Sequence, residues 1–298
     1  MTWLVVVNPS AGGGRGRKFA GEVVGLLKSK DQKFIELVEN SEILTRESVS
    51  QYLKNNVEGS HLLTGVIAIG GDGLVHLLIQ LLAHTHVPLL VFPAGTGNDF
   101  VRAQRFPLNN NLEILNYALN NNPHYIDLGG TESGYFAAIL STGFDSLVNE
   151  RANAMKWITG PMKYNLAILQ ELPLFTPRHY QFTIDGRFFE TQAMLIAVAN
   201  GHSYGGGMQV CPQATFRDGF FDVMILKPVS KGHFLRIFPK VFSGNHLNDP
   251  AVEILRAHDV SISADAIAYA DGERIGSLPI TARVIEKSLL TWSRVPAG

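Results

Sequence analysis

Two aspartates sit in glycine turns at the ends of apolar runs, and these are the residues of the chain best placed for chemistry. Gly65–Ile69 (GVIAI) leads into Gly70-Gly71-Asp72-Gly73, and Pro88–Phe92 (PLLVF) leads into Pro93-Ala94-Gly95-Thr96-Gly97-Asn98-Asp99. A third run, Trp3–Val7 (WLVVV), enters Asn8-Pro9-Ser10-Ala11-Gly12-Gly13-Gly14. Glycine lets backbone N–H groups approach an anion closely, and the N-terminus of a following helix adds a favourable dipole. Asp72 and Asp99 stand where a metal or its waters are needed beside phosphates, because Mg2+ takes a few carboxylates and completes its shell with phosphate oxygens. The turns therefore read as a phosphate-handling site. The usual nucleotide signatures are not met: Gly12–Lys18 lacks the final Lys-[Ser/Thr] of a Walker loop, and Gly95–Phe100 ends in Phe where a dinucleotide fingerprint needs Gly.

The surrounding sequence predicts how these turns are held. Strand and helix signals alternate over the first 120 or so residues: helices at Arg17–Lys30, Thr45–Asn55, Leu74–Ala83 and Leu112–Leu119, another opening near Asn98, and a further strand at Phe34–Val38. Strands separated by helices require right-handed crossovers and a parallel sheet covered on both faces, whose ligands sit at the strands' carboxyl ends. Beyond His124–Asp127 the texture changes to short strands: Tyr135–Leu140, Tyr180–Ile184, Phe188–Ala199, Phe221–Leu226, Val252–Arg256, Val260–Ser263, Ile267–Ala270 and Ser277–Val284. Helical stretches at Ser146–Leu172, broken at Gly160-Pro161, and at Lys231–Phe242 interrupt them. The expected architecture is an α/β N-terminal domain with a parallel sheet, residues 1–126, and a mainly antiparallel β-sandwich, residues 127–298, whose C-terminal tail is free to return to the first domain.

Composition narrows the function classes. With 25 Lys and Arg against 26 Asp and Glu there is no basic field for nucleic acid. The single cysteine, Cys211, excludes an internal disulfide and a zinc pattern, reads as a small buried residue, and favours a reducing, cytoplasmic compartment. Trp3–Val7 is too short and lacks the basic leader of a signal peptide. The uncharged stretch Gly73–Asn98 contains three histidines and two prolines and divides into a helix and a strand, so it does not read as a membrane span. A homodimer is compatible with the chain.

The motifs together carry a resemblance. NPSAGGGRGR (Asn8–Arg17), GGDG (Gly70–Gly73), PAGTGNDF (Pro93–Phe100), IDLG (Ile126–Gly129), STGFD (Ser141–Asp145), NGHSYGGGMQVCPQATFRDGFFDV (Asn200–Val223) and DGE (Asp271–Glu273) keep order and spacing across nearly the whole chain. In this they resemble the diacylglycerol-kinase-type catalytic family of lipid kinases, especially its bacterial soluble members, which are related to sphingosine and ceramide kinases. The resemblance implies ATP-dependent phosphoryl transfer to a lipid hydroxyl, with Mg2+ and transient contact with a membrane surface. It implies nucleotide contacts at Asn8, Pro9, Ser10, Ala11, Gly12, Ser41, Ala68, Ile69, Gly70, Gly71, Asp72, Gly73, Leu74, Thr96, Asn98, Asp99 and Glu273. Asp271 would accept the proton of the lipid hydroxyl, the lipid entering between the domains. Asp72, Asp99 and Asp127 would cluster around the catalytic cation, and Asp218 with the carbonyls of Thr215 and Phe220 would hold a structural Mg2+.

Plainer roles stand beside these. Asp271-Gly272 suits a type I′ hairpin turn, Asp218-Gly219 a simple turn, and Asp127 a strand-end cap. Arg15, Arg17 and Lys18 suit a solvated helix start, and His84 and His86 a helix end. Trp157, Ile158, Met162, Tyr164, Leu166 and Leu169 suit a core. Two other functions also remain open. One is an NAD-kinase-like enzyme for a small metabolite, which would share GGDG. The other is a non-catalytic nucleotide- or lipid-binding regulator, suggested by Leu77 where the family has glutamate.

Overall fold

The structure, a computed structural model, describes residues 2–14, 16–39, 41–59, 62–155 and 161–295, with the main chain only over 161–165. Two compact units divide the chain, Met1–Asp127 with Glu286–Gly298, and Leu128–Ile285.

The first unit alternates strand and helix in chain order: β1 (Thr2–Val7), α1 (Ala11–Gly14), α2 (Gly16–Ser29), β2 (Phe34–Val38), α3 (Glu42–Val57), β3 (Leu63–Gly70), α4 (Asp72–Leu82), β4 (Leu89–Pro93), α5 (Asp99–Ala103) and α6 (Asn111–Asn120). The strands pair in parallel in the order β2-β1-β3-β4. Their registers align the carboxyl ends: Val7 lies opposite both Val38 and Ile69, and Gly70 opposite Pro93. Every loop that follows these residues therefore opens on one edge of the sheet, as expected for a doubly covered parallel sheet. β1 and β3 read as continuous apolar runs because both faces are buried. α2 buries Gly16, Ala20, Val23 and Leu27, one helical face, against the sheet layer.

The second unit is built from β5 (His124–Thr131), which starts in the first, β6 (Gly134–Phe136), β7 (Ile139–Gly143), α7 (Phe144–Ala154), α8 (Pro161–Glu171), β8 (Arg178–Ile184), β9 (Arg187–Ala193), β10 (Leu195–Ala199), β11 (Phe221–Leu226), α9 (Lys231–Ile237), β12 (Val252–Ala257), β13 (Asp259–Ser263), β14 (Ile267–Ala270), β15 (Glu273–Ser277) and β16 (Ile280–Thr291), which ends in the first. One antiparallel sheet has the order β12-β11-β10-β7-β14-β15, and another runs β16-β13-β8-β9. Alternate residues of both, among them Leu140, Ile196, Val198, Phe221 and Val223 from the first and Phe182, Ile184, Val260 and Ile262 from the second, share one buried core. This is the period-2 packing of a sandwich.

Several boundaries differ from the sequence expectation. Tyr135–Leu140 is interrupted at Ala137-Ala138, because the N–H groups there turn to a carboxylate instead of a strand partner. Phe188–Ala199 divides at Met194. The last strand begins at Ile280 rather than Ser277 and continues through Glu286, Lys287 and Ser288 to Thr291, which pairs with Leu89 of β4. The expected Lys231–Phe242 helix stops at Ile237 and tightens into a 3-10 turn over Phe238–Ser243, since Pro239 has no N–H for the next helical bond.

Candidate active site

The glycine edge is closed by side-chain carboxylates and amides of its own residues. Asn8 opens the first turn: its Oδ1 accepts the Ser10 N–H (3.0 Å) and hydroxyl (2.7 Å). Gly12, Gly13 and Gly14 then follow at φ 60, 73 and 92, a left-handed run that only glycine sustains. Gly16 packs so closely on this turn that a Cβ would sit 2.1 Å from the Asn8 carbonyl. Asn98 closes the third turn in the left-handed region (φ 55), its Oδ1 accepting Gly95 N–H at 2.9 Å and its Nδ2 donating to Gly95 O at 3.0 Å. Arg102 Nε holds Gly97 O at 3.1 Å.

Asp72 binds the second turn to the third. Its Oδ2 accepts the Asn98 N–H at 3.2 Å and its Oδ1 the Asp99 N–H at 3.0 Å. The two turns touch: a Cβ on Gly95 would meet the Gly71 Cα at 2.5 Å. A Cβ on Gly97 would lie 2.3 Å from Asp72 Oδ2 and 3.3 Å from Asp99 Oδ2, so both carboxylates face the same spot beside a bare glycine. Such a pair suits a cation that takes few protein oxygens and fills its shell from phosphate. Thr96 is exposed at the apex of its turn. Ala68 and Ile69 are fully buried in β3, and Leu74 folds back over Gly70. Pro9, Ser10 and Ala11 lie on the first turn. Ser41 lies beyond the carboxyl end of β2, on the same edge, where its hydroxyl caps α3 by accepting Leu44 N–H at 3.2 Å. Arg17 and Lys18 are exposed on α2; Arg15, Trp157 and Ile158 lie outside the described residues.

Among the described residues no group of three or more His, Cys, Asp and Glu is placed to hold a metal ion. Asp127, expected beside Asp72 and Asp99, has a structural partner. It is buried in β5 and its Oδ1 accepts the Lys287 N–H at 2.8 Å, where Lys287 itself has a φ of 48. Leu77, the departure from the family pattern, is only 4% exposed on the buried face of α4. A carboxylate there would need a buried partner, so leucine meets the packing at this position.

In the second unit Asp271 (φ 52) and Gly272 (φ 86) form the two-residue turn between β14 and β15, with Ala270 opposite Glu273. The turn is more than a hairpin tip. Asp271 Oδ2 accepts the Ala137 N–H at 2.7 Å, and its Oδ1 accepts those of Ala138 (2.8 Å) and Ile139 (3.2 Å). Behind that cradle, Asn200 Nδ2 donates to Ala137 O at 2.8 Å, and the Asn200 and Gly201 N–H groups both donate to Ala138 O at 2.9 Å. Asn200 lies within the NGHSYGGG motif, whose sequence gives it no separate role, and the N–H cradle has no residue-type signal. Glu273 is exposed two residues after Asp271. Nearby in the chain, Ser141 Oγ donates to the half-buried Asp145 at 2.5 Å, and desolvation holds the Asp145 carboxyl above its ordinary range.

At the Thr215–Phe220 turn the Asp218 carboxylate has protein partners on both oxygens. Asp218 Oδ1 accepts the Phe220 N–H at 3.2 Å, closing a local turn, while Arg256 Nη2 lies 2.5 Å from Asp218 Oδ2. Arg256 also approaches Asp222 Oδ1 at 3.8 Å and lies over the Phe220 ring at 4.2 Å. Burial pushes the Asp222 carboxyl up, with Arg256 opposing. Of the donors that the resemblance implies for a divalent ion, the Asp218 carboxylate is engaged by a guanidinium.

The chain matches the diacylglycerol kinase catalytic domain family over residues 2–131, and the YegS C-terminal NAD kinase beta sandwich-like domain over residues 138–291. A Mycobacterium tuberculosis protein named diacylglycerol kinase is 32% identical over 291 residues, covering 95% of this chain and 92% of that protein. The chain belongs to the diacylglycerol kinase family. A Bacillus subtilis protein of the same name is 32% identical over 219 residues, 72% of each chain. A solved structure from Bacillus anthracis superposes with a TM-score of 0.76 at 20% identity, over 99% of this chain and 97% of that one, and shares the fold. At the level of the family the chain is a kinase, a lipid-kinase-type transferase that uses ATP. Among the described residues no helix is long and apolar enough to cross a membrane.

Proposed function

We propose that this member of the family transfers the γ-phosphoryl group of ATP to the free hydroxyl of a diacylglycerol-like lipid, meeting it by transient contact with a membrane surface. The observation that carries the reading is the relationship, over nearly its whole length, to proteins named diacylglycerol kinase.

The residues take roles by their chemistry. The Asn8–Gly12, Gly70–Gly73 and Gly95–Asp99 turns cradle the phosphates with backbone N–H groups, and Thr96 and Ser41 flank them. A magnesium ion would be held by Asp99 and Asp72 beside Gly97, where it neutralises phosphate charge. Asp72 has a second task, since its oxygens also fix the Asn98–Asp99 backbone. Phosphoryl transfer asks chiefly for positioning and charge stabilisation, so the acceptor hydroxyl needs a group that orients it and takes its proton. Asp271 supplies that group. Three backbone donors fix the direction of its carboxylate, and Glu273 lies on the same turn. The experiment is ATP turnover with Mg2+ against a panel of hydroxylated lipids, the product identified by mass. A phosphorylated lipid supports the reading; turnover only on a soluble metabolite such as NAD contradicts it.

A further inference from the structure

We infer that the guanidinium of Arg256 is the built-in cation of the Asp218–Asp222 corner, and that this corner of the second unit holds together without a divalent ion. Its construction is a product of strand register. Asp222 on β11 lies directly opposite Arg256 on β12, and the turn carrying Asp218 and Phe220 runs straight into β11. One side chain therefore reaches two carboxylates and a ring face: Asp218 Oδ2 at 2.5 Å, Asp222 Oδ1 at 3.8 Å, and the Phe220 centroid at 4.2 Å. Phe220 also meets the His258 ring, tilted against it with centroids 3.9 Å apart.

A planar, delocalised, permanently charged group suits this arrangement. It can donate to carboxylates through its edge while its face stacks on an aromatic ring, which an ammonium or a metal ion cannot do together. Mg2+ demands near-ideal octahedral geometry and keeps several waters. Here it would compete with a positive charge already in contact with Asp218, and the remaining Asp218 oxygen accepts the Phe220 N–H. The inference does not rest on the kinase reading, since it concerns what holds a turn in place.

Thermal unfolding of the nucleotide-free protein tests it, with wild type, Asp218→Asn, Arg256→Gln and Arg256→Lys melted in EDTA and in millimolar MgCl2. The expected result is a wild-type Tm unchanged by Mg2+, a lower Tm for Arg256→Gln, and an intermediate one for Arg256→Lys, which restores charge without the planar fork. A ligand binding only the folded state must raise Tm with concentration, so a resident ion could not stay hidden. A wild-type Tm that rises with MgCl2 and loses that rise in Asp218→Asn overturns the inference. An Arg256→Gln protein that melts with the wild type does so equally. Should Arg256→Gln fail to fold, the wild-type, Asp218→Asn and Arg256→Lys comparison decides alone.

Discussion

Asp72 Oδ1 accepts the backbone N–H of Asp99 at 3.0 Å, so one acidic residue of the glycine edge positions the other. Together with the bond to Asn98 it ties loops 26 and 27 residues apart in sequence. Asp72→Ala removes both acceptors and leaves two N–H groups facing the gap. With hydrogen bonds to a charged group worth about 1.5–3 kcal/mol each, the variant should lose roughly 3 kcal/mol or more of stability. Urea unfolding checks this: the midpoint should fall with an unchanged slope. A midpoint equal to the wild type would mean that the turns hold without Asp72.

Gly97 leaves the space in which both carboxylates meet. Alanine there would place a carbon 2.3 Å from Asp72 Oδ2, so the carboxylate or the turn must move. Gly97→Ala should cost about 1–3 kcal/mol, the usual range for overpacking, and should weaken ATP binding measured by calorimetry. Undiminished nucleotide affinity would remove this spot from the phosphate site.

Asn200 is a positioning residue. Its amide holds Ala137 O, and the Ala137 N–H holds Asp271, so Asn200 acts on Asp271 through a single residue. Asn200→Ala leaves a buried carbonyl unpaired and should cost about 1–3 kcal/mol. Its kinetic signature should be a fall in kcat with ATP affinity preserved, whereas a purely structural residue would lower the folded fraction and leave kcat per folded molecule intact.

The glycine turns were legible because their information is local: an apolar run, glycine at left-handed positions, and a carboxylate at fixed offset. Partnerships created by strand pairing were not. Asp72 finds Asn98 and Asp99 only because β3 and β4 are neighbours, and Arg256 finds Asp218 only through the β11–β12 register. The far end of β16 is not legible because Glu286, Lys287 and Ser288 break the apolar pattern. In the fold, Lys287 bends at positive φ and its N–H is received by Asp127, so polar residues continue the strand. That same bond makes Asp127 a buried anchor of the strand.

Burial raises the Asp145 carboxyl above its ordinary 3.8, against the opposing hydrogen bonds from Ser141 and Tyr204. A carboxyl whose folded value is raised stabilises the fold while protonated, so its contribution is fully present below the unfolded value and is lost as pH rises through the folded value. Stability of the wild type should therefore decline across that window above pH 3.8 relative to Asp145→Asn, which cannot ionise. Paired unfolding curves at stepped pH measure the difference. Parallel pH profiles would show that Asp145 does not titrate in this way.

The most direct test follows labelled γ-phosphate from ATP into diacylglycerol for the wild type and Asp271→Asn, alongside nucleotide affinity for both. The account predicts a labelled lipid with the wild type, and loss of roughly a hundredfold or more of that rate in Asp271→Asn, the order expected for removing a proton acceptor. ATP affinity should not change. Equal lipid labelling by the two proteins would contradict the role given to Asp271, and label entering no lipid at all would contradict the proposed function.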